Sequence, residues 1–415
     1  MIRATARVTF RVVGVDENAE TIQNLSQGRA PIFEPKLDVT LQSAIEKSNL
    51  SFTTNIENAV SDADFVWITF DTPVDENDVA DTNFVTSRIQ GIFPFLKNHC
   101  VVIISSQLPV GSTIELAQSY IKNFPERNVH FAYIPENLRL GKALNVFLEP
   151  DRIVIGANAE TRTRLEPLLQ KISQNLVWLS VPSAEMSKHA INAFLATSVV
   201  FANELALLCE AVGADAKEVE LALKTEERIG PGAYVSPGMA FAGGTLARDI
   251  QFLNKLAQKQ NRILPLLRSI PESNQQHKFW VINKLKGIFS KFQDHSAGVL
   301  GLTYKPQTNT LRRSSSIEVS KVLHEAGMKI FAHDPTIEQL PEEFSWINLV
   351  QDPRQMSQLD VLLVLTPWPQ YLELDFEKIA SAMNNKIIID PTRFIFDKVK
   401  NISHLQYYTI GKTIS

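Results

Sequence analysis

The sequence predicts an α/β protein in which two α/β domains are joined by a long central helix. Short β-branched and apolar runs alternate with helical periods over the first 180 residues, which is typical of βαβ units on a parallel sheet. Apolar residues then recur at helical spacing over 184–213, and nothing breaks the run before Gly213. The α/β alternation restarts at Ser296. These three observations predict domains over 1–180, 181–275 and 276–415.

In the first domain, apolar runs predict five strands, and helix-compatible stretches such as the one from Asn18 precede or follow them. The predicted strands are Val8–Val15, Asp64–Phe70, Cys100–Ser105, His130–Ile134 and Arg152–Ile155.

The rest of the chain is predicted in the same way. The central helix is apolar on more than one face, which suits a spine or a dimer interface. Polar residues and two prolines make Gln258–His277 the expected linker. In the last domain we expect strands at Ala297–Thr303, Lys329–His333, Asp360–Leu365 and Lys386–Ile389, with a helix at Ser316–Ala326.

Composition excludes several classes of function. Forty-one Lys and Arg against 45 Asp and Glu leave a net charge of −4, so no bulk basic field calls for nucleic acid or an anionic membrane. The only two cysteines, Cys100 and Cys209, lack the spacing of a disulfide framework or a zinc site. The longest apolar runs are too short to cross a bilayer, and Arg11 interrupts any signal segment. We therefore expect a soluble cytoplasmic protein that binds no metal.

Asp16 is the first residue that suggests chemistry. An acidic residue at a strand end of a dinucleotide-binding unit accepts hydrogen bonds from a ribose hydroxyl. Such a residue follows a G-x-G-x-x-G turn by roughly 20 residues, yet the chain contains no glycines in that pattern. Taken alone, Asp16 is more often an ordinary turn residue.

A series of motifs, taken in order over roughly residues 11–400, changes that interpretation. They resemble the UDP-glucose/GDP-mannose dehydrogenase family, and Ala184–Asn192 is the most specific of them. The motifs are Val13–Asp16, Pro31–Pro35, Asp62–Asp64, Thr72–Pro73, Phe147–Val154, Ala184–Asn192, Phe201–Asp215 and Gly301–Pro306.

The resemblance implies two Rossmann-like doubly wound domains, one for NAD and one for a UDP- or GDP-sugar. These domains flank a helix at 184–213 that forms a homodimer. Such enzymes oxidise the C6 alcohol of the sugar to a carboxylate with two NAD, usually for surface polysaccharide. Their cofactor contacts correspond here to Asp16, Thr72, Pro73 and Gln107.

The resemblance also implies catalytic residues. Lys188 would stabilise the oxyanion, and Asn192, one helical turn later, would orient the sugar or a water. Glu136 and Asp249 match family carboxylates, and Thr245 stands at the position of the catalytic cysteine. Outside this family context, a solvated lysine and a surface asparagine are the more common interpretation of such a pair.

Substrate contacts are implied at two segments and in the last domain. Arg228 resembles an arginine that reaches the site of the partner subunit, and Tyr234 belongs to a loop over the pyrophosphate. Cations suit a diphosphate, although Arg312, beside Arg313, also fits a surface ion pair. The implied substrate residues are Arg228, Tyr234, Gly243, Gly244, Lys305 and Arg312.

The chain departs from the family in three ways. Thr245 replaces the cysteine, and a hydroxyl is a poor nucleophile without an adjacent base. Gln107 and Leu140 replace a threonine and an acidic residue, so the proton relay must differ. The first strand, glycine turn and first helix have no counterpart, so we expect an incomplete first domain and weak NAD binding.

Two interpretations of different class are open. In one, the chain is an NAD-dependent nucleotide-sugar dehydrogenase of an atypical branch, which stops at the aldehyde or oxidises its hydrate. In the other, it is a truncated or non-catalytic homologue that dimerises and binds nucleotide sugar. A sensor or partner subunit for an active paralogue is a third, weaker interpretation.

Overall fold

The computed structural model describes residues 10–32, 34–75, 80–138, 141–241 and 244–412. The chain separates into two compact units, residues 1–191 and 192–415. The division into three domains that the sequence suggests stays a prediction.

The first unit contains seven strands within the described residues: β1 (Val12–Val15), β2 (Leu50–Thr53), β3 (Phe65–Ile68), β4 (Val101–Ile104), β5 (His130–Tyr133), β6 (Ile153–Gly156) and β7 (Leu176–Leu179). The strands β1 and β2 form a parallel pair. The other five form a sheet in the order β3-β4-β5-β6-β7, parallel except between β5 and β6. In the described part of the chain, no strand pairs with both β1 and β3.

Helices connect these strands: α1 (Ala19–Ser26), α2 (Leu37–Glu46), α3 (Ile56–Val60), α4 (Thr82–Ile92), α5 (Ser112–Asn123), α6 (Ala143–Leu148) and α7 (Ala159–Leu169). Strands β4 and β5 are buried along their whole length. Except for His130, their residues are apolar or aromatic, because the side chains on both faces of the sheet are covered. All five strand predictions in this unit find a strand, although residues 8 and 9 of the first lie outside the described residues.

In the second unit, a six-stranded sheet contains β8 (Ser296–Leu300), β9 (Lys329–His333), β10 (Asn348–Leu349), β11 (Val361–Val364), β12 (Ile387–Ile389) and β13 (Gln406–Tyr408). All of the strand pairs are parallel, in the order β10-β9-β8-β11-β12-β13. The strand order reverses between β8 and β11. In a doubly wound sheet, ligands bind beyond the carboxyl ends of the strands at such a switch point.

The predicted central helix is a single element, α8 (Val181–Val212), which continues from the first unit into the second. The further helices are α9 (Ala216–Thr225), α10 (Thr245–Lys259), α11 (Pro265–Lys278), α12 (Trp280–Ile288), α13 (Ser315–Glu325), α14 (Phe376–Ser381) and α15 (Phe396–Val399). By length and composition alone, α8 would suit a membrane span. Its face over Ala193, Ala196 and Val200 packs into an apolar core with α10 and α11, and 33% of its most apolar 18-residue stretch is buried.

The prediction of a linker at Gln258–His277 is wrong, because most of this stretch lies in helices α10 and α11. The buried face of α11 carries Ile270, Asn274 and His277. Two of these three residues are polar, so their helical spacing does not register as an apolar periodicity. Pro265 occupies the first helical position, where the missing N–H costs nothing.

Candidate active site

In the first unit, Asp16 directly follows β1 and is exposed. Its Oδ1 accepts a hydrogen bond from Asn18 N at 2.8 Å, and Asn18 in turn caps the N-terminus of α1. The carboxylate therefore sits at the carboxyl end of a parallel strand, on the surface, where it can accept further hydrogen bonds from diol hydroxyls. This is the place that the sequence predicts for a ribose-binding residue.

Thr72 and Gln107 lie in the loops after β3 and β4, and the structure brings them together. The buried Thr72 hydroxyl donates to Gln107 O at 2.7 Å. A second bond of the same kind runs from Ser106 Oγ to Phe70 O at 2.7 Å. Pro73 is half-buried beside Thr72. Three of the four predicted cofactor contacts thus belong to one connected edge of the five-stranded sheet.

Lys188 is a buried cation in the described part of the first unit. Only 6% of the residue is exposed, and its ammonium donates to Glu136 O and, at 3.4 Å, to Asn137 Oδ1. Glu136 follows the fully buried strand β5, and its carboxylate is exposed and accepts from Leu138 N. The backbone carbonyl of Glu136, rather than the side chain, therefore holds the lysine at the carboxyl edge of the sheet.

Glu185 and His189, close to Lys188 on α8, bind the backbone of the segment 108–113, a role that the sequence did not suggest for them. The buried Glu185 carboxylate accepts from Gly111 N at 2.6 Å and Thr113 N at 3.0 Å, at the N-terminus of α5. His189 Nε2 donates to Leu108 O at 3.1 Å. Both bonds fix the loop that follows Gln107. In the sequence, only their position within the motif Ala184–Asn192 marks these two residues.

In the second unit, Asn192 and Asp249 are paired. The Asn192 side chain donates to Asp249 Oδ2, and the two residues are 6% and 0% exposed. Asp249 lies one turn into α10, whose first residue is Thr245. The Thr245 residue is exposed. The buried pair thus fixes the N-terminal turn of the helix that presents Thr245.

Gly244 precedes α10 with a φ of 115°, a backbone conformation that favours glycine. A Cβ at Gly244 would lie 3.1 Å from Arg313 Nη1, so this guanidinium packs against the glycine. Arg313 is half-buried, whereas Arg312, the predicted phosphate contact, is exposed. The structure therefore places Arg313, and not Arg312, next to the predicted catalytic segment. Gly243 lies outside the described residues.

Arg228 and Tyr234 are both exposed within the second unit. Arg228 Nε pairs with Glu226 Oε1 at 2.7 Å. Two residues after Tyr234, the Ser236 hydroxyl donates to Glu220, which also accepts from Lys224. Burial alone would raise the pKa of Glu220, but the bonds from Lys224, Ser236 and Lys217 outweigh it and lower that pKa to about 2. An ionised carboxylate therefore tethers the segment that carries Tyr234.

The loop after β8 carries the motif Gly301–Pro306. Gly301 has a φ of +90°, and a Cβ there would lie 2.6 Å from Thr366 O. The buried Asp334, directly after β9, accepts from Leu302 N at 2.8 Å and from Thr303 N and Oγ1 at 2.9 Å. Lys305 is half-buried, and its carbonyl accepts from Thr308 Oγ1 at 2.9 Å. Asp334 therefore shapes this loop, a function that the sequence did not reveal.

Neither cysteine is suited to act as a nucleophile in place of the cysteine that Thr245 is predicted to replace. Cys100 and Cys209 are both buried and unpaired. Burial raises the pKa of Cys100 to about 11, which suppresses the thiolate at neutral pH.

Comparison with known proteins identifies the family of this chain. Three models of the UDP-glucose/GDP-mannose dehydrogenase family match: the NAD binding domain over 1–176, the central domain over 182–276 and the UDP binding domain over 298–398. The chain is 32% identical to a UDP-glucose 6-dehydrogenase of Rickettsia bellii and 31% identical to one of Rhizobium meliloti. Each match covers 97% of this chain and 94% of the relative.

The fold is similar to that of a solved UDP-glucose dehydrogenase from the archaeon Pyrobaculum islandicum. The TM-score is 0.89 at 28% identity, over 99% of this chain and 94% of the other. A UDP-N-acetyl-mannosamine dehydrogenase from Staphylococcus aureus shares the fold with a TM-score of 0.80 at 22% identity, over 98% of this chain and 94% of the other.

Proposed function

The chain belongs to the UDP-glucose/GDP-mannose dehydrogenase family, and on this basis we propose that it is an NAD-dependent nucleotide-sugar dehydrogenase that oxidises the C6 alcohol of a UDP-sugar. UDP-glucose is the first substrate to test, because the relatives of about 30% identity are UDP-glucose 6-dehydrogenases. The expected use of the product in surface polysaccharide is part of this proposal. So is the division into domains over 1–180, 181–275 and 276–415.

The buried Lys188 is the single observation that carries the proposal. A lysine that is 6% exposed is costly unless its charge is compensated. Here the compensation is a backbone carbonyl and an amide oxygen at the carboxyl end of β5. Ligands bind at this end of parallel strands. A desolvated ammonium there is suited to stabilise the oxyanion that forms as an alcohol loses its proton.

The described residues fit part of an NAD site. Asp16 offers an exposed carboxylate to ribose hydroxyls, and Thr72 and Gln107 form a connected loop edge beyond β3 and β4. Bound NAD would supply the hydride acceptor of the reaction. No described residue is assigned to the pyrophosphate, so the expectation of weak NAD binding stays a prediction.

Apart from hydride acceptance by NAD, the steps of the reaction would depend on side chains of this chain. Lys188 would stabilise the alkoxide that forms at C6 in the first oxidation. Asn192 is held by Asp249 and would orient the sugar or a water. Thr245 has a hydroxyl in place of a thiol, so no thiohemiacetal is expected there. We therefore expect the aldehyde to accumulate as the main product, because any oxidation of its hydrate would be slow.

The second interpretation is a homologue that binds nucleotide sugar and dimerises without turnover. The exposed Thr245 hydroxyl, with no cysteine available, is the observation that favours it. The two proposals differ in whether NADH forms.

The test is a panel of UDP- and GDP-sugars with NAD, read by NADH formation and by product analysis, beside calorimetry of sugar-nucleotide binding. We expect NADH with UDP-glucose, one per sugar, and accumulation of aldehyde. Lys188→Ala should lower kcat by at least about tenfold, whereas Lys122→Ala, an exposed lysine on α5, should not. Binding without NADH would support the second interpretation. Two NADH per sugar with only uronate would contradict the expected product, and no binding of any sugar would contradict both proposals.

We also propose that α8 forms a homodimer. Phe194, Phe201 and Leu208 are spaced by seven residues on α8 and are 70%, 50% and 63% exposed. This spacing puts large apolar side chains along one face of the helix, as in helix–helix interfaces. Phe201→Glu should shift the sedimenting species from dimer to monomer. Leu221→Glu, at an exposed leucine on α9, is the control, and a monomeric wild-type chain would refute the proposal.

Both cysteines are buried and unpaired, which supports the proposal that the protein is cytoplasmic.

A further inference from the structure

Side chains from two helices hold the segment Gly238–Phe241, which precedes the predicted catalytic residue Thr245. Gly238 N donates to Asn203 Oδ1 at 2.9 Å, and Gly238 O accepts from His277 Nε2 at 2.8 Å. Asn203 lies on α8 and His277 on α11. The N–H and the C=O of a single glycine are thus bound by two different helices.

The backbone N–H and C=O of Phe241 are both bound by one side chain, that of Asn274. Asn274 Oδ1 accepts from Phe241 N at 3.0 Å, and Asn274 Nδ2 donates to Phe241 O at 2.9 Å. This bidentate pair imitates a β-ladder. Asn203, Asn274 and His277 are 3%, 6% and 7% exposed, so breaking one of these bonds leaves a polar group of a buried side chain unpaired.

We propose that Asn203, Asn274 and His277 are positioning residues that clamp the backbone of Gly238–Phe241 and thereby set where the segment Gly244–Asp249 begins. Only two residues separate Phe241 from Gly244. Because the two ends are so near in the sequence, the position of Phe241 limits where Gly244 and the start of α10 can lie. The inference rests on the proposed function, because that function makes the position of this segment matter.

His277 makes the clamp sensitive to pH. A carbonyl only accepts, so the bond to Gly238 O requires a proton on Nε2. Nδ1 is buried and has no hydrogen-bond partner in the described part of the chain. Protonation would therefore place a charge at an unpaired buried atom. Burial accordingly lowers the pKa of His277 below its ordinary value of 6.5.

The charges around His277 do not offset this cost. Glu210 on α8 acts on the ring, but its carboxylate is shared with Trp280 Nε1 and Lys284 Nζ. Lys278, next on α11, pairs with Glu318 of α13 at 3.0 Å. The sequence of the clamped segment 236–241 contains no titratable side chain. As pH falls below 6.5, His277 binds a proton more readily when the loop is open than when it is closed, so the closed clamp becomes less stable.

Hydrogen exchange of the peptide around 236–241 tests the clamp without substrate or cofactor. For the wild-type protein, the protection factor should fall by up to about tenfold between pH 7.5 and pH 5.5, which is one pH unit below the ordinary histidine value. His277→Gln keeps a donor without a titrating group and should remove this pH dependence. His277→Leu should lose protection at every pH. If His277→Leu does not fold, the pH dependence of the protection factor in the wild type and in His277→Gln is sufficient to test the clamp.

Activity gives a second readout. The KM for the nucleotide sugar should rise as pH falls in the wild type, relative to His277→Gln, with a smaller change in kcat. A wild-type protection factor that does not change with pH, or the same pH dependence in His277→Gln, would overturn the clamp. If no nucleotide sugar binds while exchange behaves as expected, the proposed function fails and the clamp stands.

Discussion

The substitution Thr245→Cys tests most directly whether the structure retains the environment of a reactive nucleophile. Thr245 is the first residue of the 15-residue helix α10, and it is exposed. Partial positive charge at such a terminus stabilises an anion by about 0.3–1 kcal/mol at an exposed site. Since 1.36 kcal/mol corresponds to one pKa unit, the pKa of the new thiol should fall from about 8.5 to between about 7.8 and 8.3. The Arg313 guanidinium beside Gly244 should lower it further.

The assay is the pH dependence of alkylation by iodoacetamide, with the site of modification identified by mass. The wild-type protein supplies a low background, because Cys100 and Cys209 are buried. The matched control is Thr225→Cys, an exposed position at the last residue of α9. The negative end of that helix should raise its thiol pKa to 8.5 or above.

A pKa for the thiol of Thr245→Cys equal to or higher than that of Thr225→Cys would refute the reasoning about the helix terminus. A second measurement addresses function. If the wild-type enzyme stops at the aldehyde because it lacks a thiol, Thr245→Cys should raise the yield of NADH per sugar from one towards two. No change in this yield, despite a lowered thiol pKa, would show that the nucleophile is not what limits the second oxidation.

Two further predictions concern stability. Asp334→Ala leaves buried donors of Leu302 and Thr303 unpaired and should lower the free energy of unfolding by about 3–5 kcal/mol. The measurement is urea denaturation, and Asp397→Ala, at an exposed aspartate, is the control. A loss below about 1 kcal/mol would contradict the anchoring role. Burial alone would raise the pKa of Asp215, but the bonds from Lys412 and Arg393 outweigh it and lower that pKa from 3.8 to about 2. Its contribution is present above pH 3.8 and is lost as pH falls towards 2, so between pH 5 and 3 the wild type should lose about 1 kcal/mol more stability than Asp215→Asn. Equal losses would show that Asp215 titrates normally.

The sequence predicted the fully buried strands, and the strands that it missed, such as β2 and β7, are less buried. Strands β4 and β11 are apolar at every position, because both faces of their sheets are covered. Strands β2 and β7 were missed. Their residues are mostly half-buried or exposed. Ser51 and Thr53 interrupt the apolar run of β2, whereas the four apolar residues of β7 form a run that pattern alone does not distinguish from a buried helix segment. A short parallel strand near a sheet edge carries little pattern of its own.

The candidate site shows a different limit. Lys188 and Asn192 could be found because they stand within a recognisable motif. Glu185 could not be assigned its role, because its partner Gly111 lies 74 residues away in the chain. Arg312 and Arg313 are equivalent as sequence, and the choice between them depends on the backbone. Arg313 has a φ of 60°, which turns the chain just before Ser314 caps α13.

The two α/β sheets show why one strand-end pattern does not determine one role. Asp16 and Asp334 each follow a strand directly, at the position where a dinucleotide-binding unit presents its ribose carboxylate. Asp16 is exposed, and among the described residues its carboxylate accepts from Asn18 N. Asp334 is buried, and both of its oxygens are engaged by its own protein, Oδ2 by the loop after β8 and Oδ1 by Thr336. A ribose diol needs an acceptor that is accessible and has spare lone pairs. Of these two carboxylates, only Asp16 meets both conditions, which supports its predicted role in ribose binding, whereas Asp334 builds the loop of the other sheet.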